Sequence, residues 1–197
     1  MKVSIFLDFW NFSLSFRNAE PTFRPDWFAL PKVLVSESSS LLQEQSLDLQ
    51  EFNIFGSYSN LPADAKLKNW ATTFLPKIPG SNVVFLQRQQ KLKGPVCVSC
   101  HQEIKVCPQC GGSMIGTEEK CVDTLIATTM LQDAWMKKYD IAILVSSDKD
   151  FIPAVDFLRN VGIRTIHAQF RNQGAELRKH CWGGLNLYKL KDKFQKV

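Results

Sequence analysis

Ile141-Ala142-Ile143-Leu144-Val145, followed at once by Ser146-Ser147-Asp148-Lys149-Asp150-Phe151-Ile152-Pro153-Ala154, is the stretch on which the fold turns. An unbroken run of aliphatic residues is what a central strand of a parallel sheet carries when both of its faces are covered. After the polar break, apolar residues resume at helical spacing through Phe151, Val155, Phe157 and Leu158. Asp148 and Asp150 therefore sit where a buried strand ends and a helix begins. Open α/β sheets bind ligands at that end of their strands. Helix capping and the helix dipole would put acids there as well, so the rest of the chain has to discriminate.

Downstream, the helix runs over Ile152 to Val161, Gly162 marks its end, and Ile163 to Phe170 reads as a strand. A short helix near Ala175 to His180 and an apolar tail through Leu185, Leu187 and Tyr188 follow. Upstream, a helix spans about Glu118 to Lys138, with Val122, Leu125, Ile126, Met130 and Ala134 facing inward. Val83 to Leu86 and Leu49 to Tyr58 read as strands, with a helix over Pro62 to Lys77 between them. Another helix spans Asp26 to Gln45, with a weak place at Ser36 to Ser40. The first strand, Val3 to Leu7, ends at Asp8, and Asn11 follows one turn later. This β-α-β-α-β-(insert)-α-β-α-β alternation predicts an α/β fold: a parallel sheet with helices on both faces.

A chain of 197 residues, 45% of them hydrophobic, suits one domain plus a small insertion. No apolar run reaches the roughly 18–20 residues that span a bilayer, and an aspartate interrupts the N-terminal apolar run too early for a signal peptide. A cytoplasmic protein with no membrane partner is expected. A net charge of +5 favours an anionic partner without identifying it.

Cys97, Cys100, Cys107 and Cys110 form two C-x-x-C units six residues apart. That spacing predicts a zinc ribbon in which four thiolates bind structural Zn²⁺ tetrahedrally. His101 could compete as a ligand, but the cysteines already complete the shell. Residues 95–113 are thus read as an insertion dividing one domain into parts 1–94 and 114–197. It leaves the third strand's end flanked by Arg88, Lys91, Lys93 and Lys105. Substrate handling, a loop-closing clip and a dimer contact all remain open for it. The lone Cys121 and Cys181 are expected to be buried small hydrophobes.

Asp8 follows the first strand, and Asp148 and Asp150 follow the fourth. Doubly wound sheets often set such strands side by side at a switch point. Asp123, early in the third helix, is a fourth candidate, kept ionised by the dipole. Clustered carboxylates repel one another unless a cation holds them. Oxygen ligands with few histidines suit Mg²⁺ or Mn²⁺. Such a site activates water and stabilises the leaving oxygen of an in-line phosphoryl displacement.

Three motifs carry a resemblance. Asp8-Phe9-Trp10-Asn11 resembles the D-x-x-N start of NYN-domain proteins, and Lys120-Cys121-Val122-Asp123 resembles their K-G-V-D helix start. Ser146-Ser147-Asp148-Lys149-Asp150-Phe151-Ile152-Pro153 closely resembles their S-G-D-S-D-F-x-P motif. NYN domains are PIN-like, Rossmann-like nucleases that cleave RNA with divalent metal. The resemblance implies metal ligation by Asp8, Asp123, Asp148 and Asp150, with Asn11 orienting the site. Ser147 and Cys121 stand where glycine is usual. A further helix acid would fall near Thr129, and an acid common toward the C-terminus has no counterpart near Gly183 to Leu187.

The leading expectation is therefore a metal-dependent endoribonuclease acting on RNA. The alternative is a weak or inactive RNA-binding or scaffold protein that uses its ribbon for contacts; a homo-oligomer is open under either. A Toprim-type nuclease needs a glutamate at Asp8, and a haloacid-dehalogenase-type phosphatase needs D-x-D-x-T there. Neither fits. For RNA contacts the candidates are Arg88, Lys91 and Lys93, with Arg171, Arg178 and Lys179 after the fifth strand. Trp10 could stack on a base, although such aromatics are more often core.

Overall fold

The computed structural model describes residues 1–44, 46–91 and 93–196. Six parallel strands form the main sheet: β1 (Lys2–Asp8), β2 (Asp48–Tyr58), β3 (Ser81–Gln87), β6 (Ile141–Val145), β7 (Arg164–Gln169) and β8 (Gly183–Asn186). They lie in the order β3-β2-β1-β6-β7-β8. Strands β4 (Gln89–Gln90) and β5 (Thr117–Glu118) form a separate antiparallel stem from which the cysteine segment projects.

Alternation along the central strands divides the core. Val3, Ile5 and Leu7 of β1, with Ile141, Ile143 and Val145 of β6, face one layer. It holds α1 (Phe9–Ala19), α2 (Ala29–Leu42) and α3 (Ala65–Thr73), which contribute Phe12, Leu34 and Ala71. Phe6, Ala142 and Leu144 face the other layer, built from α4 (Val122–Trp135), α5 (Ile152–Asn160) and α6 (Ala175–His180). The run at Ile141–Val145 is continuous because both of its faces are covered. Among the described residues no helix is long and apolar enough to cross a membrane.

Several elements differ from expectation. Helix α1 follows β1 without a linker, where the sequence reading had placed no helix; its buried Phe9, Phe12 and Phe16 mark one face. Helix α2 is unbroken through its serines: Ser38 is buried and the Ser40 hydroxyl donates to the Ser36 carbonyl. It ends at a left-handed Gln43 (φ +57°), and the expected limit at Gln45 lies outside the described residues. The helix expected over Pro62 to Lys77 is three pieces, with 3-10 turns at Pro62–Asp64 and Leu75–Lys77 on either side of α3. The apolar tail contains the edge strand β8 and a short helix, α7 (Leu187–Leu190).

The C-terminal segment then returns across α1. Phe194 packs edge-on against Phe16 and Phe23, and Phe16 stacks on Phe23 at 4.2 Å between centroids. Phe16 also meets Phe170 beyond β7 at 4.8 Å. This cluster fixes α1, and so the turn carrying Asp8 and Asn11, to the sheet. Phe16, 3% exposed, should cost about 3–5 kcal/mol when replaced by alanine. Urea unfolding of Phe16→Ala measures this, and a loss below about 1 kcal/mol would remove the cluster as the anchor of α1.

Candidate active site

Strand order reverses between β1 and β6, so a crevice opens at their carboxyl ends. Asp8 lies one position beyond Leu7, which pairs with Val145, and Ser146 is level with it. The Ser146 hydroxyl donates to Asp8 Oδ2 at 3.1 Å and accepts from the Asp148 amide at 3.3 Å. Asp8 Oδ1 accepts from the Asn11 amide at 3.0 Å, while Asn11 Oδ1 accepts from the Ser147 amide at 3.0 Å. Asp148 Oδ1 accepts from the Asp150 amide at 2.9 Å. Asp8 and Asp148 thus cap the helical segments that follow them, and the same bonds tie the two strand ends together.

The loop is supported from behind. His167 is fully buried, and its Nε2 lies 2.7 Å from the Ser146 carbonyl. A carbonyl only accepts, so Nε2 carries the proton; burial, opposed by that hydrogen bond, pushes the imidazole down to about 4. His167 is neutral and structural. Gly174 (φ +71°) closes over it: a Cβ there would lie 2.8 Å from His167 Cε1 and 2.9 Å from Ser147 Cα.

The acids face one another electrostatically. Burial pushes Asp8, 7% exposed, up to about 6, against the Asn11 amide and Ser146 hydroxyl; Asp123 and Glu119 add to the rise. Asp123, in the first turn of α4, is raised by burial and then by Asp148, Glu119 and Asp150. Glu119 escaped the sequence reading, which had placed it inside a helix. That helix starts only at Val122, because Cys121 takes a left-handed φ of +70°. The extended residues before it bring Glu119 back over β2, where it meets the Ser57 hydroxyl and pairs with Arg88 at 3.9 Å. The adjacent Glu118-Glu119 was the available signal. Cys121 itself is exposed, against expectation, whereas Cys181 is buried and its thiol is pushed up to about 12 by that burial.

Arg88 stacks on the Trp10 ring at 4.8 Å and donates through Nε to Ser57 Oγ at 2.9 Å. The Trp10 indole donates to the Ser57 carbonyl at 2.9 Å. Trp10 is therefore part of the wall. Lys91 and Lys93 are exposed beside the stem, and Arg171 is exposed just past β7, 4.2 Å over the Tyr188 ring. Arg178 and Lys179 depart from their expected place. Helix α6 runs back along the sheet, and Trp182 just after it donates to Thr165 at the start of β7. Lys179 consequently lies toward the amino edge, in a groove with Arg164 and Trp182. Arg178 is half-buried against Gly184 and reaches the Cys181 carbonyl.

The cysteine segment is two copies of one turn. Cys97 donates to the Gln102 carbonyl and its own carbonyl accepts from His101; Cys107 does the same with Gly112 and Gly111. His101 (φ +56°) and Gly111 (φ +70°) take the same left-handed conformation. Bridges Val96–Glu103 and Val106–Ser113 flank the turns. The backbone N–H groups of Cys100 and Ser99 lower the Cys97 thiol, and those of Cys110 and Gln109 lower Cys107.

Among the described residues no three His, Cys, Asp or Glu side chains form a group that could hold a metal ion, neither the acids nor the cysteines. The donor chemistry of both sets nevertheless suits a cation: neighbouring carboxylates add to the raised pKa of Asp8 and Asp123, and backbone amides lower the Cys97 and Cys107 thiols.

The NYN domain family model matches residues 2–182. No curated protein matches the chain. The fold is similar to the crystal structure of a protein of unknown function from Vibrio parahaemolyticus, at 15% identity and a TM-score of 0.58, covering 99% of this chain and 96% of that one.

Because Asp8 binds its proton more tightly folded (about 6) than at its ordinary value of 3.8, folding takes up a proton in that window. Its contribution is complete below about pH 4 and lost as pH rises through about 6, some 3 kcal/mol in all. Urea unfolding in EDTA should show wild type losing stability relative to Asp8→Asn across that range. A difference that stays flat with pH would show that Asp8 is not held protonated by its burial.

Proposed function

This chain belongs to the NYN domain family of PIN-like nucleases, and we propose on that footing that it is a metal-dependent endoribonuclease hydrolysing RNA phosphodiester bonds. The supporting observation is the arc of Asp8, Ser146, Asp148 and Asp150, hydrogen-bonded across the switch point. Asp8, Asp123, Asp148 and Asp150 would hold Mg²⁺ or Mn²⁺. When bound, such a cation lowers the pKa of a water and offsets charge on the leaving oxygen.

The chain's own groups then position the reactants. Asn11 fixes Asp8 through its amide and the Ser147 loop through its carbonyl oxygen. Arg88, Lys91, Lys93 and Arg171 offer cations to the RNA backbone, so binding weakens with salt. Trp10 contributes by holding Arg88 in place. In the insertion, Cys97, Cys100, Cys107 and Cys110 would take structural Zn²⁺; the matched turns and lowered thiols support this.

A non-catalytic RNA-binding protein is the second reading, favoured by the neutral Thr129 in α4 and the absence of a formed metal group among the described residues. Mn²⁺-dependent cleavage of single-stranded RNA separates the two. Asp148→Asn should lower cleavage by about two orders of magnitude or more while the metal-free protein stays at least as stable, since one of a set of repelling charges is gone. Wild-type cleavage by well-folded Asp148→Asn would sink the catalytic assignment.

Protein purified without added metal should carry close to one zinc per chain by elemental analysis. Replacing Cys97 and Cys107 by serine should remove it. Zinc retained in that variant would show that these thiols are not the ligands.

A further inference from the structure

Beside the acidic crevice lies a second concavity that the catalytic reading leaves unused. Its volume is about 400 Å³, and Asn60, Leu61, Gln87, Arg88, Gln90 and Thr117 line it. Three parts of the chain build it: the loop after β2, the end of β3 and the stem of the insertion. Its position is fixed by Arg88, which lines the cavity and also reaches Ser57 and Glu119 at the edge of the crevice.

We infer that this cavity is a subsite for one unpaired nucleotide of RNA, next to the scissile phosphate. The inference rests on the nuclease reading for its substrate and on the cavity for its chemistry. Asn60, Gln87 and Gln90 are exposed, and each amide offers both a donor and an acceptor. Paired donors and acceptors are what a base edge presents, and amide side chains read such edges in single strands. Leu61 is 57% exposed, an apolar ledge for the face of a base. Among the described residues no carboxylate lines the cavity, and Arg88, which pairs with Glu119 at 3.9 Å on its crevice side, would meet the attached phosphate. A concavity of this size lies within the range of sites for small organic groups, about 300–1,000 Å³. A base inside a duplex is stacked and paired and cannot enter, so the subsite selects loops, bulges and ends. Gln90 and Thr117 belong to the stem, so the base of the cysteine segment forms part of the wall of this subsite.

The test is binding in EDTA, where cleavage plays no part. Fluorescence anisotropy would follow fluorescein-labelled ten-nucleotide oligo(A), oligo(U) and oligo(C), and each of these with one central abasic position. Wild type should rank the homopolymers over at least about fivefold, the lower end of what one bidentate base contact gives, and should bind the abasic strands more weakly. Gln87→Ala combined with Gln90→Ala should compress the ranking to within about twofold and abolish the abasic penalty. Both positions are exposed, so an unchanged urea midpoint certifies the fold. A wild type that does not discriminate, or a variant that keeps the wild-type ranking, overturns the subsite. The two readings fail separately: no Mn²⁺-dependent cleavage removes the nuclease but leaves the base preference, whereas an unaltered ranking removes only the subsite.

Discussion

The hydroxyl of Ser146, donating to Asp8 across the boundary between β1 and β6, holds the carboxyl edge together. A carboxylate this well buried is costly unless hydrogen bonds replace its water. The Asn11 amide supplies a second bond, and the Asn11 side chain then ties down the loop that presents Asp148. Each member is constrained twice. Asp8 ends a strand and caps a helix; Ser146 follows the end of a strand, donates to Asp8 and accepts from Asp148. Capping and site assembly are therefore not rival explanations of these acids. Local helix chemistry aims the groups, and the pairing of two central strands brings them together.

Sequence disclosed the parts whose pattern is set by burial. The unbroken apolar run of β6 requires two covered faces, and the acids after it mark the carboxyl end of the sheet. Helix α6 falls where the reading had it, at Ala175–His180. What escaped depends on partners distant in the chain. Strand β8 begins with Gly183-Gly184, which have no side chains to alternate; pairing with β7 makes it a strand, and Leu41 and Arg178 occupy the space its Cβ atoms would need. Helix α1 was hidden because Phe9-Trp10-Asn11-Phe12 looks like a motif rather than a periodicity. Glu119 was hidden by one left-handed residue, Cys121, which shortens α4 and leaves the preceding segment extended. Lys179 was misplaced because its position after a strand end says nothing of how far the next helix carries it.

The cysteine segment and the sheet obey different rules. The sheet is held by a continuous apolar core, whereas the cysteine segment repeats one polar turn and buries almost nothing. Exposed Val96, Val98 and Val106 show how little apolar shelter it has. Segments this small generally depend on a cross-link or a metal for order. Its stem nevertheless lines the cavity beside the crevice through Gln90 and Thr117, so the two regions meet there.

The separation of Asp8 and Ser146 by 138 positions has a consequence for the order in which the molecule comes into being. Parallel strands pair only after the intervening chain has been traversed, and such long-range closure is slow. During synthesis the amino-terminal strands and their helices emerge long before Ile141–Val145. Until that segment inserts beside β1, Asp8 has neither its serine partner nor Asp148 and Asp150 beyond it. The carboxylate constellation is therefore absent from a nascent or partly folded chain and arises with completion of the core. The site is thus assembled only when β1 and β6 have paired.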